Sequence, residues 1–500
     1  MDYTQFFEKN DQLAFQILQK FAIKRNSMIT VSSILDQFPV SEYKLTTILA
    51  SLNNDLMHIQ YVKSPKITET EKNVLRGQNI TTTVVNEIRL LYLQRSVLFA
   101  VFKYNFFQSK KIPKAVFMKS NYISKTKFYA SEIALRDILK NSDFYQSPNI
   151  TSDDEYILRL NLFEFFYTAF NGIGSPFQNM NIQTNNLIVR IQEQFAITNK
   201  PVQKSKLEIF LKIWLLRMEN GHYIGTHIIS TDNVAADISE RLTSIGKYIR
   251  DTFKLSLGKE ELNYLYTFLL TQEYIGGIQN VLHKADVPLA YQLTTKLIER
   301  VTTPTLLIDP DAFESQALFL ALIQINLRFT TFYIEPTTFI SLNQIDFFKE
   351  TYPLFHAVIN QFIEDIKHEG MLKLNPRESA NLYFDYMFAL INSVPKSLLL
   401  DKVHICVDFS QGKIYNTYIT ETLEGFANAN IVIESNLSHT TDIYLSDFYS
   451  TAVKKSQTIW RNPPSPDDWA ALGDNIIKLK HMKVQQLVNE IQRSTKGVRP

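Results

Sequence analysis

The chain has 500 residues, 45% hydrophobic and 20% charged, with 14 glycines and 17 prolines, the composition of a helix-leaning globular protein of several domains rather than a disordered or fibrous one. Its formal net charge of +2 is too small to define a partner by itself. One cysteine, Cys406, excludes an internal disulfide framework and a cysteine-based zinc site.

The opening M-D-Y-T-Q-F-F-E-K-N-D carries acids where a secretory signal needs a basic edge and an apolar run. The most apolar windows, 90–102 and 317–329, are broken by Arg or Gln before the ~20 residues of a membrane helix. The expectation is a soluble, cytoplasmic protein with no membrane partner.

In chain order, Leu13, Ile17, Leu18 and Phe21 keep helical spacing, and V-S-S-I-L-D-Q-F (31–38) predicts a short second helix. Pro39 and Val40 make a break, and Ser41 caps a third helix that turns Leu45, Ile48, Leu49 and Leu52 inward. M-H-I-Q-Y-V (57–62) alternates like a strand, and K-S-P-K-I-T-E-T-E-K-N has the polarity of a wing tip. Helix, turn, helix and hairpin make a winged helix-turn-helix pattern.

A related arrangement follows. A long helix is expected from Glu87 to about Phe107, then K-I-P-K-A-V-F-M-K-S (111–120), a break at N-Y-I, and a helix capped by Ser124. Phe128, Leu135, Ile138 and Leu139 form its apolar stripe; Ile133 lies off it. Residues 88–140 hold eleven cations against two acids, a net +9, leaving the rest of the chain at −7. Such a block suits a polyanion, nucleic acid first and a membrane surface second; the plainer alternative is a solvated basic face.

On the nucleic-acid reading, the Ser124 hydroxyl and nearby amides serve phosphate. Lys125, Thr126 and Lys127 reach base edges or phosphate, Tyr129 packs along the backbone, and Arg136 adds charge. Ser41, Tyr43, Lys44 and Thr47 occupy the equivalent places in the first motif.

From about 178 to 394 the pattern is helical and duplicated. F-L-K-I-W-L-L-R-M-E-N-G-H-Y-I (210–224) parallels A-L-I-Q-I-N-L-R-F-T-T-F-Y-I (321–334), with Arg217 and Arg328 in register. E-E-L-N-Y-L-Y-T-F-L-L (260–270) parallels E-S-A-N-L-Y-F-D-Y-M-F-A-L (378–390). So long a period indicates duplicated domains rather than a solenoid. The last hundred residues predict a strand (402–410), an amphipathic helix, strands at 429–435 and 441–447, and a helical tail, hence a small parallel α/β domain. His404 and Cys406 share a strand face, but inside an apolar strand they read as packing. No glycine-rich phosphate loop, H-E-x-x-H or carboxylate cluster appears, so neither an enzyme nor a cofactor is expected.

With these parts in order, the chain resembles the Mga/AtxA-type transcriptional regulators of low-GC Gram-positive bacteria over its whole length. N-Y-I-S-K-T-K-F-Y, R-F-T-T-F-Y-I-E-P (328–336) and F-F-K-E-T-Y-P-L-F (347–355) carry the resemblance. It implies a winged helix-turn-helix (1–70), a second helix-turn-helix (71–172), two phosphotransferase-system regulation domains (173–286 and 287–396) and an EIIB-like α/β domain (397–500). It also implies a virulence or global regulator that binds double-stranded promoter DNA, forms a homodimer through its C-terminal domain, and responds to sugar transport through phosphocarrier proteins. By the repeat register, the histidines of related regulation domains fall on Phe210, Ala321, Phe268 and Asp385. The phosphorylation candidates become His222 and His356, with His227, His283 and His368 behind them. Two rival expectations are an RNA-binding antiterminator, since regulation domains of this type also occur there, and a phosphocarrier relay protein.

Overall fold

A computed structural model describes residues 2–23, 28–59, 64–150, 152–170, 172–198, 200–231, 236–276, 286–303, 306–307, 313–335, 342–425, 430–461 and 463–496. It is mostly helical, with a small parallel sheet near the C-terminus. The chain divides into two compact units, residues 1–286 with 331–337, and residues 287–330 with 338–500.

The first unit begins with α1 (Lys9–Ile23), β1 (Met28–Thr30), α2 (Val31–Gln37) and α3 (Glu42–Met57), followed by β2 (Lys66–Glu71) and β3 (Val74–Gln78). The strands form an antiparallel sheet in the order β1-β3-β2. Of the strand expected at 57–62, residues 57–59 are not in a strand: Leu56 is fully buried in α3, Met57 ends that helix, and His58 caps it; residues 60–63 lie outside the described ones. Burying Leu56 on the helical stripe outweighs the local alternation. The hairpin starts at Lys66, so most of the stretch expected as a wing tip is itself β2 and the turn into β3.

Beyond it run α4 (Thr82–Arg95), α5 (Val97–Phe107), α6 (Lys114–Ser120), α7 (Lys125–Asn141), α8 (Asp154–Phe170), α9 (Asn181–Phe195), α10 (Pro201–Glu219), α11 (Ala236–Phe253) and α12 (Lys259–Thr271). The single helix expected over 87–107 is two helices. Ser96 takes an extended conformation (φ −75°, ψ 126°) and its hydroxyl accepts the Phe99 amide, capping α5 and ending α4. A serine that serves the backbone as a cap favours a helix end over a helix interior. The core is dense in aromatics: Phe6, Phe102 and Phe165 are mutually in contact, with centroids 4.9–5.1 Å apart.

The second unit contains the helices Pro288–Val301, Leu342–Thr351, Pro353–His368 and Pro376–Ser393 and most of Gln316–Thr331. Its α/β part holds β4 (Val403–Val407), β5 (Ile431–Glu434), β6 (Ile443–Ser446) and β7 (Ser456–Ile459), all parallel, in the order β5-β4-β6-β7. The expected strands and helices form; β7 is additional. Val403, Ile405, Ile443 and Leu445 pack on Ile419 and Leu423 of the helix Lys413–Glu424 and on Leu472 and Ile476 of the helix Pro466–Lys496. Among the described residues no helix is long and apolar enough to cross a membrane.

Candidate nucleic-acid interface

Period 3.6 and side-chain caps build the two helix pairs, with two caps in the first pair and one, on α7, in the second. The Thr30 hydroxyl caps α2 and that of Ser41 caps α3, accepting the Lys44 amide at 3.3 Å. Leu45, Ile48, Leu52 and Leu56 turn inward, which leaves Tyr43 84% exposed beside exposed Ser41, Lys44 and Thr47. The Thr47 hydroxyl donates to the Tyr43 carbonyl at 3.0 Å. Asn53 fastens α3 to the hairpin: its amide donates to the Ile67 carbonyl and its oxygen accepts the Ile67 amide, both at 2.8 Å. This occupies backbone groups of β2, a strand at the sheet edge that would otherwise be open to pairing. The hairpin carries little net charge, with Lys66, Lys72 and Arg76 against Glu69 and Glu71, a net +1.

In the second pair, α6 and α7 are joined by a turn in which Tyr122 has φ 55° and is 98% exposed. Ser124 caps α7 by accepting the Lys127 amide at 3.2 Å. Phe128, Ser131, Leu135 and Leu139 are buried, and the Phe117 ring lies 4.3 Å from that of Tyr104. Lys125, Thr126, Lys127 and Tyr129 are all exposed on the first turns. Ile133 is exposed as well (59%).

The basic block is less free than its count suggests. Arg95 is held between two carboxylates, with Asp11 at 2.6 Å and Asp55 at 3.0 Å; burial works against its charge, and the hydrogen bonds of both acids raise its pKa. Arg89 is buried under the Tyr3 ring. Lys103 lies on the Phe99 ring, where burial lowers its pKa. Lys110 donates to the Gly221 carbonyl at 3.2 Å, and Lys111 pairs with Glu219 at 2.7 Å. Lys114 pairs with Glu132 at 2.8 Å, a hydrogen bond that raises its pKa, and Lys127 pairs with Glu8 at 3.1 Å. The other four, Lys119, Lys125, Arg136 and Lys140, are exposed and carry no ion pair or side-chain hydrogen bond among the described residues.

The positions that the repeat register assigns to missing histidines meet in space. Phe210 of α10 and Phe268 of α12 stack with centroids 3.7 Å apart and an interplanar angle of 11°, both fully in the core. A buried charge network that sequence reasoning missed also forms here, because its links other than Arg159 to Glu155 span 37 to 111 residues. Arg159 donates to Glu261 at 2.7 and 3.0 Å, and Trp214 and the Ile224 amide donate to the same carboxylate at 2.7 and 2.9 Å. Glu155 receives Arg159 and Arg217, and Arg217 also donates to the Phe106 carbonyl. In the duplicate, Arg328 pairs with Asp385 at 2.6 Å, and both are partly exposed. Duplicated register therefore carries two different chemistries, an aromatic stack in one copy and an accessible ion pair in the other.

His222 is half-buried, its carbonyl accepts from Arg159 at 2.9 Å, and burial and the Arg217 charge lower its pKa, holding the imidazole neutral. His356 bonds to the Tyr383 hydroxyl through Nδ1 at 2.9 Å, and burial with the Lys349 charge lowers it too. His227 pairs with Glu260, His368 ends its helix, and His283 lies outside the described residues. In the C-terminal sheet, His404 bonds to Glu434 at 2.9 Å; Cys406 is buried, and burial with the Asp408 and Glu434 charges pushes its thiol up. The loop after β4 is tied by acids, with Asp447 accepting the Ser410 amide at 2.9 Å and Asp408 accepting the Tyr444 hydroxyl at 2.6 Å. No group of three or more potential metal ligands occurs among the described residues. No protein-family model matches the chain, and no curated protein matches it.

Proposed function

We propose that the protein is a cytoplasmic, DNA-binding transcriptional regulator of the Mga type. The observation that carries the reading is the repeated local design in the first unit. Two helix pairs each end in a serine-capped helix whose apolar stripe is buried and whose polar first turns face solvent. A helix of this kind enters the major groove by its N-terminal turns, with cap hydroxyl and amides on phosphate and side chains on base edges. Lys125 leads the contact, Lys127 joins it on release from Glu8, and Ser41, Tyr43, Lys44 and Thr47 set the orientation of the first motif. Arg136 and Lys119 add long-range attraction.

On this reading, residues 1–70 and 71–172 are the winged and second helix-turn-helix domains. Residues 173–286 and 287–396 are the regulation domains, and 397–500 is an EIIB-like domain through which a homodimer forms. Phosphocarrier proteins are the proposed regulatory partners, with His222 and His356 as acceptors; a neutral imidazole nitrogen is the form that attacks phosphorus. Double charge reversal, Lys125→Glu with Lys127→Glu, tests the assignment: retention of a duplex in a low-salt gel-shift assay should fall by about tenfold or more. Unchanged retention would overturn it.

A further inference from the structure

Arg136 and Lys140, on the C-terminal half of α7, carry no ion pair or side-chain hydrogen bond among the described residues. Both line a half-open cleft of about 560 Å³ formed by the C-terminal half of α7, the end of α5 and the segment 143–146, within the size range of small-molecule sites. Its lining includes Phe106, Leu135, Leu139 and Phe144, all at most 7% exposed. Phe144 packs against Phe106 with the rings tilted at 53° and the centroids 5.8 Å apart. The wall is fixed in place: Asn161 donates to the Phe144 and Gln146 carbonyls at 2.8 and 3.3 Å, and the Phe144 amide bonds to the Leu139 carbonyl at 3.1 Å.

The charge balance of the cleft identifies its occupant. Of its two carboxylates, Glu132 is already neutralised by Lys114 at 2.8 and 3.1 Å, which leaves Asp143 against two cations without partners among the described residues. We propose that this cleft binds a small organic anion with a flat apolar body, its carboxylate, sulfonate or phosphate head held by Arg136 and Lys140 and its body lying against Phe106, Leu139 and Phe144. A nucleic-acid backbone offers the charge but no apolar body for the aromatic wall, so the site is distinct from the first-turn contacts. Guanidinium and ammonium together favour a doubly hydrogen-bonded oxyanion head.

The test uses the full chain without nucleic acid and 8-anilinonaphthalene-1-sulfonate as the probe, titrated by fluorescence. Saturable binding should weaken by about tenfold or more in Arg136→Gln with Lys140→Gln, because two charge-assisted bonds are lost. Arg136→Lys with Lys140→Arg should stay near wild type, and Asp143→Asn should tighten binding, as removal of a like charge requires. Neutral N-phenyl-1-naphthylamine should be insensitive to all of these changes. Equal affinity across the charge variants, or an equal loss of the neutral probe in the Gln variant, would overturn the proposal, as would the lack of saturable binding.

Discussion

Arg159 and Glu261 are fully enclosed side chains whose stability depends on each other. Each isolated charge would be costly at that depth, and the pair is sustained by the bond that Arg159 donates to Glu155 and by those that Trp214 and the Ile224 amide donate to Glu261. Arg159→Met, which leaves Glu261 uncompensated, should cost about 3–5 kcal/mol in denaturant unfolding, and coupling it to Glu261→Leu should recover much of the loss. Glu434 makes a second residue-scale prediction. Burial opposes its charge, but hydrogen bonds from Thr440 and Thr441, with His404 and Ser438, pull its pKa from 4.5 to about 2. A depressed carboxylate stabilises the fold above its unfolded pKa, and that contribution is lost as pH falls through the folded value. Unfolding midpoints should therefore decline between about pH 4.5 and 2 more steeply in the wild type than in Glu434→Gln, and parallel profiles would contradict the assignment.

The hairpin of the first unit depends on one missing side chain. A Cβ placed on Gly77 would stand 2.9 Å from Cβ and Cδ1 of Phe21, and Phe21 is 1% exposed. Gly77→Ala should destabilise this element by about 1–3 kcal/mol, read as faster amide exchange across β2 and β3. Elements with strong local signals were legible in the sequence. The Ser124 cap and the stripe of Phe128, Leu135 and Leu139 define α7, and the apolar run of β4 defines the sheet. Other features depended on distant partners. At residues 57–59 the alternation that begins M-H-I lost to the burial of Leu56, and β1 has three residues and no periodicity to read. The helix break at Ser96 is fixed partly by a bond from its hydroxyl to the Phe6 carbonyl, 90 residues away.

At the scale of the whole molecule, the +9 window was visible in the sequence, but its free charge was not. Its ion pairs reach acids 84, 40, 108 and 119 residues away, and no local count contains them. The candidate contacts on α3 and α7 were legible because capping and periodicity place them outward. The Phe210 and Phe268 stack was half legible: register located both residues, and only the fold brought them together. In the proposed function this surface binds duplex DNA, with few cations making the electrostatic contact. Fluorescence anisotropy of a labelled random-sequence duplex, titrated with salt and with a structured RNA competitor, tests it most directly. Duplex binding should be saturable and resist the RNA, with log affinity falling against log salt at a slope of about −3 to −5, as expected for four or five phosphate contacts. Preferential displacement by RNA, or no duplex binding at low salt, would contradict it.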